Sequence, residues 1–408
     1  MSESDAGRPV WRSVMAGRDP LQGHRASTPL ELLFDLCFVV GVAQAAASLH
    51  HALSEGHAGS GVLGYAMVFF AIWWAWMNFT WFASAYDTDD VLYRLLVLTQ
   101  IAGVLILAAG VPRAFGEQDF GLVTLGYAVM RLAMVGLWAR AAREHPGGRA
   151  CTSRYAIGIT VVQAGWIARL ALPGEAGLAG FLVLVLAELA VPLWAERFQQ
   201  TAWHPGHIAE RYGLFTLIVL GESVLAATTA IQTGLERGIV TTALLSVALS
   251  GIVIVFAMWW VYFARPAERI LTSNRVSFPW GYGHYLIFSS AAAVGAGLGV
   301  VVDHDTGRAH IGDLAAGAAV AVPVAVFVLS VWLVHLRPHH RGRRADAGFP
   351  VVALAVLLTP LTPVPLPLIA ILMAGLVAVS DAGVFRRPAR AARTRRRSSR
   401  RPPASSHR

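Results

Sequence analysis

Apolar residues along this chain gather into about twelve runs separated by short polar gaps, at 30–52, 61–82, 92–111, 120–140, 154–172, 177–195, 208–232, 240–264, 281–302, 311–336, 349–361 and 366–385. A helix needs about 20 mostly apolar residues to cross a bilayer, and many of the runs reach that length. The pattern therefore predicts an all-α polytopic membrane protein of about twelve transmembrane helices, rather than the short alternating strands of a membrane β-barrel. The eleventh run is short, and Pro360, Pro363, Pro365 and Pro367 part it from the twelfth. Those two runs could be halves of one broken helix.

Composition agrees. The 408 residues are 56% hydrophobic and 14% charged, with a mean hydropathy of +0.56. So few charges could not cover a soluble protein of this size. All 33 basic residues are arginine, and, with those at the run edges counted to the adjoining gap, 28 of them fall at the two termini or in alternate gaps. Four fall to the other gaps, and Arg131 lies well within a run. By the positive-inside rule this bias places both termini in the cytoplasm. Residues 1–29 hold four arginines and no apolar core, so they read as a cytoplasmic segment and not as a cleavable signal peptide; the first span acts as the insertion signal. Residues 386–408 carry ten arginines among Ser, Pro and Ala. This predicts a disordered cytoplasmic tail that meets anionic lipid rather than nucleic acid. The two cysteines, Cys37 and Cys151, suggest neither a disulfide framework nor a metal site.

The chain also resembles itself. Phe70-Ala-Ile-Trp73-Trp74 is similar to Phe256-Ala-Met-Trp259-Trp260, Phe38-Val-Val-Gly41 can be set against Ile218-Val-Leu-Gly221, and Tyr93 against Tyr285. The offsets are 186, 180 and 192 residues. A shift of six spans gives two six-helix halves in the same orientation, over 30–196 and 197–385, as in secondary transporters with parallel repeats.

Ionisable groups inside spans are costly and face a cavity or a partner. Glu31 and Asp35 are i,i+4 on one face of the first span. A proton or cation site is one reading; a helix N-terminus that favours acids is the other, above all for Glu31. Asn78 falls at the depth of Asp35, among tryptophans that read as interfacial anchors. In Tyr86-Asp87-Thr-Asp89-Asp90-Val-Leu-Tyr93-Arg94, Asp90 and Arg94 have the spacing and order of a helical ion pair. The seventh span opens with His207, Glu210 and Arg211 and carries Glu222 near mid-membrane, on the face of Arg211. An uncompensated charge at such a depth costs about 2.5–3.5 kcal/mol, so Glu222 must be protonated, paired or hydrated. Glu188 in the sixth span is a similar case. His284 in the ninth is either a proton carrier or a packing histidine. Together these groups suggest one inward-facing polar chamber.

Leu30-Glu31-Leu-Leu-Phe34-Asp35-Leu-Cys-Phe38-Val, the stretch from Trp73-Trp74 through Asn78 to Asp90, Glu210-Arg211-Tyr-Gly213-Leu-Phe-Thr-Leu-Ile-Val-Leu-Gly221-Glu222-Ser223 and Gly283-His284-Tyr285 resemble the bacterial low temperature requirement A proteins over about residues 25–385. The resemblance implies an integral protein of the bacterial inner membrane and names no substrate. A fainter likeness, Phe34-Asp35-x-x-Phe38 ahead of paired six-helix halves, is to certain potassium channels, which carry Phe-Ser-Asp where Phe34 here abuts Asp35.

The expected function is therefore a proton- or cation-coupled secondary transporter. The alternatives are a cation channel, or a membrane enzyme or scaffold acting on lipids. An enzyme is the less favoured: there is no GxSxG, P-loop or dinucleotide fingerprint. His50, His51 and His57, like His339 and His340, sit in loops and read as solvated, with no metal or cofactor expected.

Overall fold

The computed structural model describes residues 11–19, 23, 26–236, 242–339 and 343–385. Among these the regular structure is helical throughout: α1 (Pro29–Ser54), α2 (Ala58–Tyr86), α3 (Val91–Gly116), α4 (Gly121–Glu144), α5 (Arg149–Arg169), α6 (Gly174–Ala195), α7 (Pro205–Glu236), α8 (Thr242–Phe263), α9 (Asn274–Asp305), α10 (Asp313–Val331), α11 (Arg343–Leu358) and α12 (Pro365–Phe385).

Nine of the described helices, α1–α4 and α6–α10, are long and apolar enough to cross a membrane. The sequence pattern suggests twelve. Helix α5 falls short because Arg149, Arg154, Gln163 and Arg169 dilute its apolar run. The apolar stretches of α11 and α12 among the fully described residues, Ala347–Leu361 and Pro365–Ser380, are shorter than those nine. The prolines between them are met by a 3-10 turn at Thr359–Leu361, so these are two helices and not one broken one.

Helix starts follow local chemistry. Thr28 caps α1 in a capping box with Glu31, and Pro29 opens the first turn. Asp90 caps α3, its carboxylate accepting from the Tyr93 amide. Asp89, just before, takes a left-handed φ of 48°, which Asp tolerates better than most residues.

Helices α2 and α9 are the most enclosed and form the middle of the bundle. Around them α1 packs on α3, α3 on α4 and α4 on α5, while α7 packs on α9, α9 on α10 and α10 on α11. Two crossings depend on glycine. A Cβ on Gly126 of α4 would overlap the Leu107 amide nitrogen and the Gly103 carbonyl of α3. A Cβ on Gly297 of α9 would overlap the Ala319 carbonyl of α10. The aromatic pairs that suggest the repeat differ in setting: Trp73 and Trp74 are buried, whereas Trp259 and Trp260 are exposed on α8 beside Phe256. Such exposed apolar faces suit contact with lipid.

Residues 11–19 lie across one end of the bundle. Arg12 pairs with Glu144 at 2.6 Å, Met15 is fully buried, and Arg18 reaches Asp87 at 3.3 Å. The arginine-rich tail, 386–408, lies outside the described residues.

Candidate functional site

Helix geometry puts Glu31 and Asp35 on one face of α1 and His207 and Arg211 on one face of α7. The two faces meet. Arg211 clasps Asp35 with two bonds, Nε to Oδ2 at 2.9 Å and Nη2 to Oδ1 at 2.6 Å. Such a planar fork is the strong form of a charge-assisted pair. The Trp76 indole of α2 donates to Asp35 Oδ1 at 2.7 Å. Glu31 Oε1 lies 3.3 Å from Arg211 Nη1 and 3.2 Å from His207 Nε2, while its Oε2 accepts from the Thr28 amide at 2.7 Å. Glu31 is thus both helix cap and ion-pair partner. All four ionisable side chains are sealed from solvent. Glu210, on the edge of this group, accepts from the Ser27 amide at 3.2 Å.

Glu188 of α6 forms a second, separate centre. Its Oε2 accepts from Arg131 Nη2 of α4 at 2.6 Å and from the Trp74 indole at 2.8 Å. Its Oε1 accepts from the Tyr127 hydroxyl at 2.7 Å and the Trp166 indole of α5 at 3.1 Å. Both charges are buried, and Arg131 Nε and Nη1 have no hydrogen-bond partner among the described residues. The polar groups therefore divide into distinct clusters rather than one chamber, with α2 between the first two. Trp74 and Trp76 are two residues apart, about 200° around a helix. Their indoles accordingly serve carboxylates on opposite sides of α2. The tryptophans are buried donors here and not interfacial anchors.

A third cluster binds the N-terminal segment. Arg140 of α4 donates to Asp90 at 2.9 and 2.5 Å and to Glu144 at 3.2 Å, and the Ser13 amide donates to Asp90 at 2.8 Å. Burial raises the Asp90 carboxyl, but the Arg140 bonds and the Ser13 and Tyr93 amides outweigh it and hold the group at about 2. The expected Asp90–Arg94 pair is not made. Asp90 is turned into its own helix start as a cap, and Arg94 pairs with exposed Asp89 at 2.8 Å.

The remaining residues singled out from sequence stand apart. Asn78 is buried and donates to the Trp74 carbonyl of its own helix at 2.8 Å. Asp87 holds Arg18. Glu222 is half-buried on α7, away from Arg211, and shows no hydrogen bond or ion pair among the described residues. His284 is fully buried, its Nδ1 2.7 Å from the Trp280 carbonyl and its Nε2 3.0 Å from the Tyr262 hydroxyl. A carbonyl only accepts, so Nδ1 carries the proton and Nε2 accepts from Tyr262. His50 is not simply solvated: its Nε2 lies 2.7 Å from Asp303 of α9, which also holds Arg308 at 2.5 Å.

Sequence reasoning passed over Arg131, Tyr127, Trp166 and Arg140. The available signal was Arg131 itself, an arginine inside an apolar run with Tyr127 one turn before it.

Residues 26–380 match the family described as Bacterial low temperature requirement A protein (LtrA). The chain is also 28% identical over 298 residues to an uncharacterized protein of Rhizobium meliloti (strain 1021), covering 70% of each.

Proposed function

Because the chain belongs to the bacterial low temperature requirement A family, we propose that it is a multi-pass protein of the bacterial inner membrane that moves a solute across the bilayer, coupled to protons or another cation. The observation that carries this reading is the sealed cluster between α1 and α7. It holds a titratable imidazole 3.2 Å from a carboxylate. A proton on His207 turns that contact from a dipole into an ion pair, with little solvent to screen the change. Binding and release of one proton would then tighten and loosen α7 against α1. Ionisable groups buried in spans commonly serve as such relays.

The packing supports two parallel halves, since the order α1–α3–α4–α5 recurs as α7–α9–α10–α11. Cavities of about 600 and 470 Å³ also lie at the same end of each half, among α2–α6 and among α8–α12. On this reading α5, α11 and α12 cross as well, giving twelve spans with both termini in the cytoplasm and the arginine tail on anionic lipid.

The test is flux into liposomes under imposed pH gradients, with a panel of cations and small solutes, for wild type, His207→Gln and Glu222→Gln. Proton-linked flux that disappears in folded His207→Gln protein is the expected result. Absence of flux for every solute in folded wild-type protein overturns transport in favour of a lipid-directed or scaffolding role.

A further inference from the structure

The cavity of about 600 Å³ in the first half opens at the end of the bundle opposite residues 11–19, and Arg169 is part of its lining. Arg169 also lines a narrow apolar pocket continuing inward to Tyr127 and Trp166, the residues that bond Glu188. The guanidinium is fixed in place: Cζ lies 5.2 Å from the Phe120 ring centre and 5.4 Å from that of Phe181, and Nε donates to the Gly177 carbonyl at 2.8 Å. Its anchoring thus uses one N–H and the faces of two rings, and among the described residues it makes no ion pair with a carboxylate. A half-buried cation held this way is a preformed acceptor for an anionic group. The same cavity is lined by two acids, Asp119 and exposed Glu175. Asp119 accepts from the Gly121 amide at 2.8 Å and lies 3.5 Å from Arg113. With Asp119 offset by Arg113, the lining presents Arg169 and Glu175, one charge of each sign, which suits a ligand carrying both.

We infer that this cavity binds a small zwitterion, its anionic group on Arg169 and its ammonium toward Glu175. A cavity of this size lies within the range of small-molecule sites. The chemistry has two sources, an amino-acid-like solute or a phosphoethanolamine headgroup. The first would make the cavity the entry site of the transport reading, on which only that role rests; binding itself does not.

The experiment is calorimetric titration of the full-length protein in detergent with L-alanine, acetate, ethylamine and phosphoethanolamine, for wild type, Arg169→Lys and Arg169→Gln. Wild type is expected to bind one of the two zwitterions at least tenfold more tightly than acetate or ethylamine. Arg169→Gln should lose tenfold or more, and Arg169→Lys should retain part of the affinity while keeping the charge. Preference for alanine identifies a solute site, and preference for phosphoethanolamine a headgroup site. No binding by folded wild-type protein, acetate binding as tightly as either zwitterion, or unaltered binding in folded Arg169→Gln overturns the inference. Binding without flux leaves the site intact and removes the transport reading; flux without binding does the reverse.

Discussion

Glu188 and Arg131 share one contact but not one predicament. Glu188 accepts four hydrogen bonds, from Arg131, Trp74, Tyr127 and Trp166, whereas Arg131 donates one. Glu188→Gln removes the carboxylate that balances a buried guanidinium, and breaking a buried pair from one side costs about 3–5 kcal/mol. Arg131→Met leaves Glu188 with three neutral donors, so the loss should be smaller, about 1–3 kcal/mol. Charge centres about 4 Å apart attract by roughly 4 kcal/mol at an effective dielectric of about 20. The double variant keeps the shape and removes both charges, so its cost should fall below the sum of the single costs by about 2–4 kcal/mol. Reversible unfolding in mixed micelles, followed by tryptophan fluorescence, measures all four corners of the cycle. A coupling below about 0.5 kcal/mol, or Arg131→Met costing as much as Glu188→Gln, would refute the asymmetry.

Three further outcomes follow from the geometry. Asp90 is held at about 2 against an ordinary 3.8, so it contributes stability above pH 3.8 that is lost as pH falls toward 2; the difference is worth roughly 2 kcal/mol. Asp90→Asn should lower the melting temperature at pH 6 and flatten its decline between about pH 4 and pH 2, read by circular dichroism. Gly126→Ala should cost about 1–3 kcal/mol by forcing α3 and α4 apart, while Gly116→Ala, with no atom within 4 Å of its Cβ, should be near neutral in the same melt. Deleting residues 386–408 should weaken binding to phosphatidylglycerol vesicles in low salt, measured by co-flotation, and unchanged binding refutes a lipid role for the tail.

The membrane class was legible because lipid demands long apolar runs, and so was the composition of the α1–α7 cluster. Glu31 with Asp35, and His207 with Arg211, each announce a shared face by their spacing. What the spacing could not supply was the partner helix. Arg131 and Glu188 are 57 residues apart, and Asp90 and Arg140 are 50 apart; no periodicity within one helix encodes such a meeting. The Asp90–Arg94 expectation failed because capping the start of α3 outweighed an exposed i,i+4 pair. Glu222 has the composition of a site but stands away from Arg211, since a 20° coincidence around one helix says nothing of what lies across from it.

Helix α2 also works as a shaft with two teeth. Trp76 engages Asp35 on one flank and Trp74 engages Glu188 on the other. A turn of the shaft by a fraction of a residue's 100° carries both indoles away from their carboxylates in the same stroke. A rigid turn of α2 alone would therefore draw both indoles off together, although no side chain bridges the two charge centres.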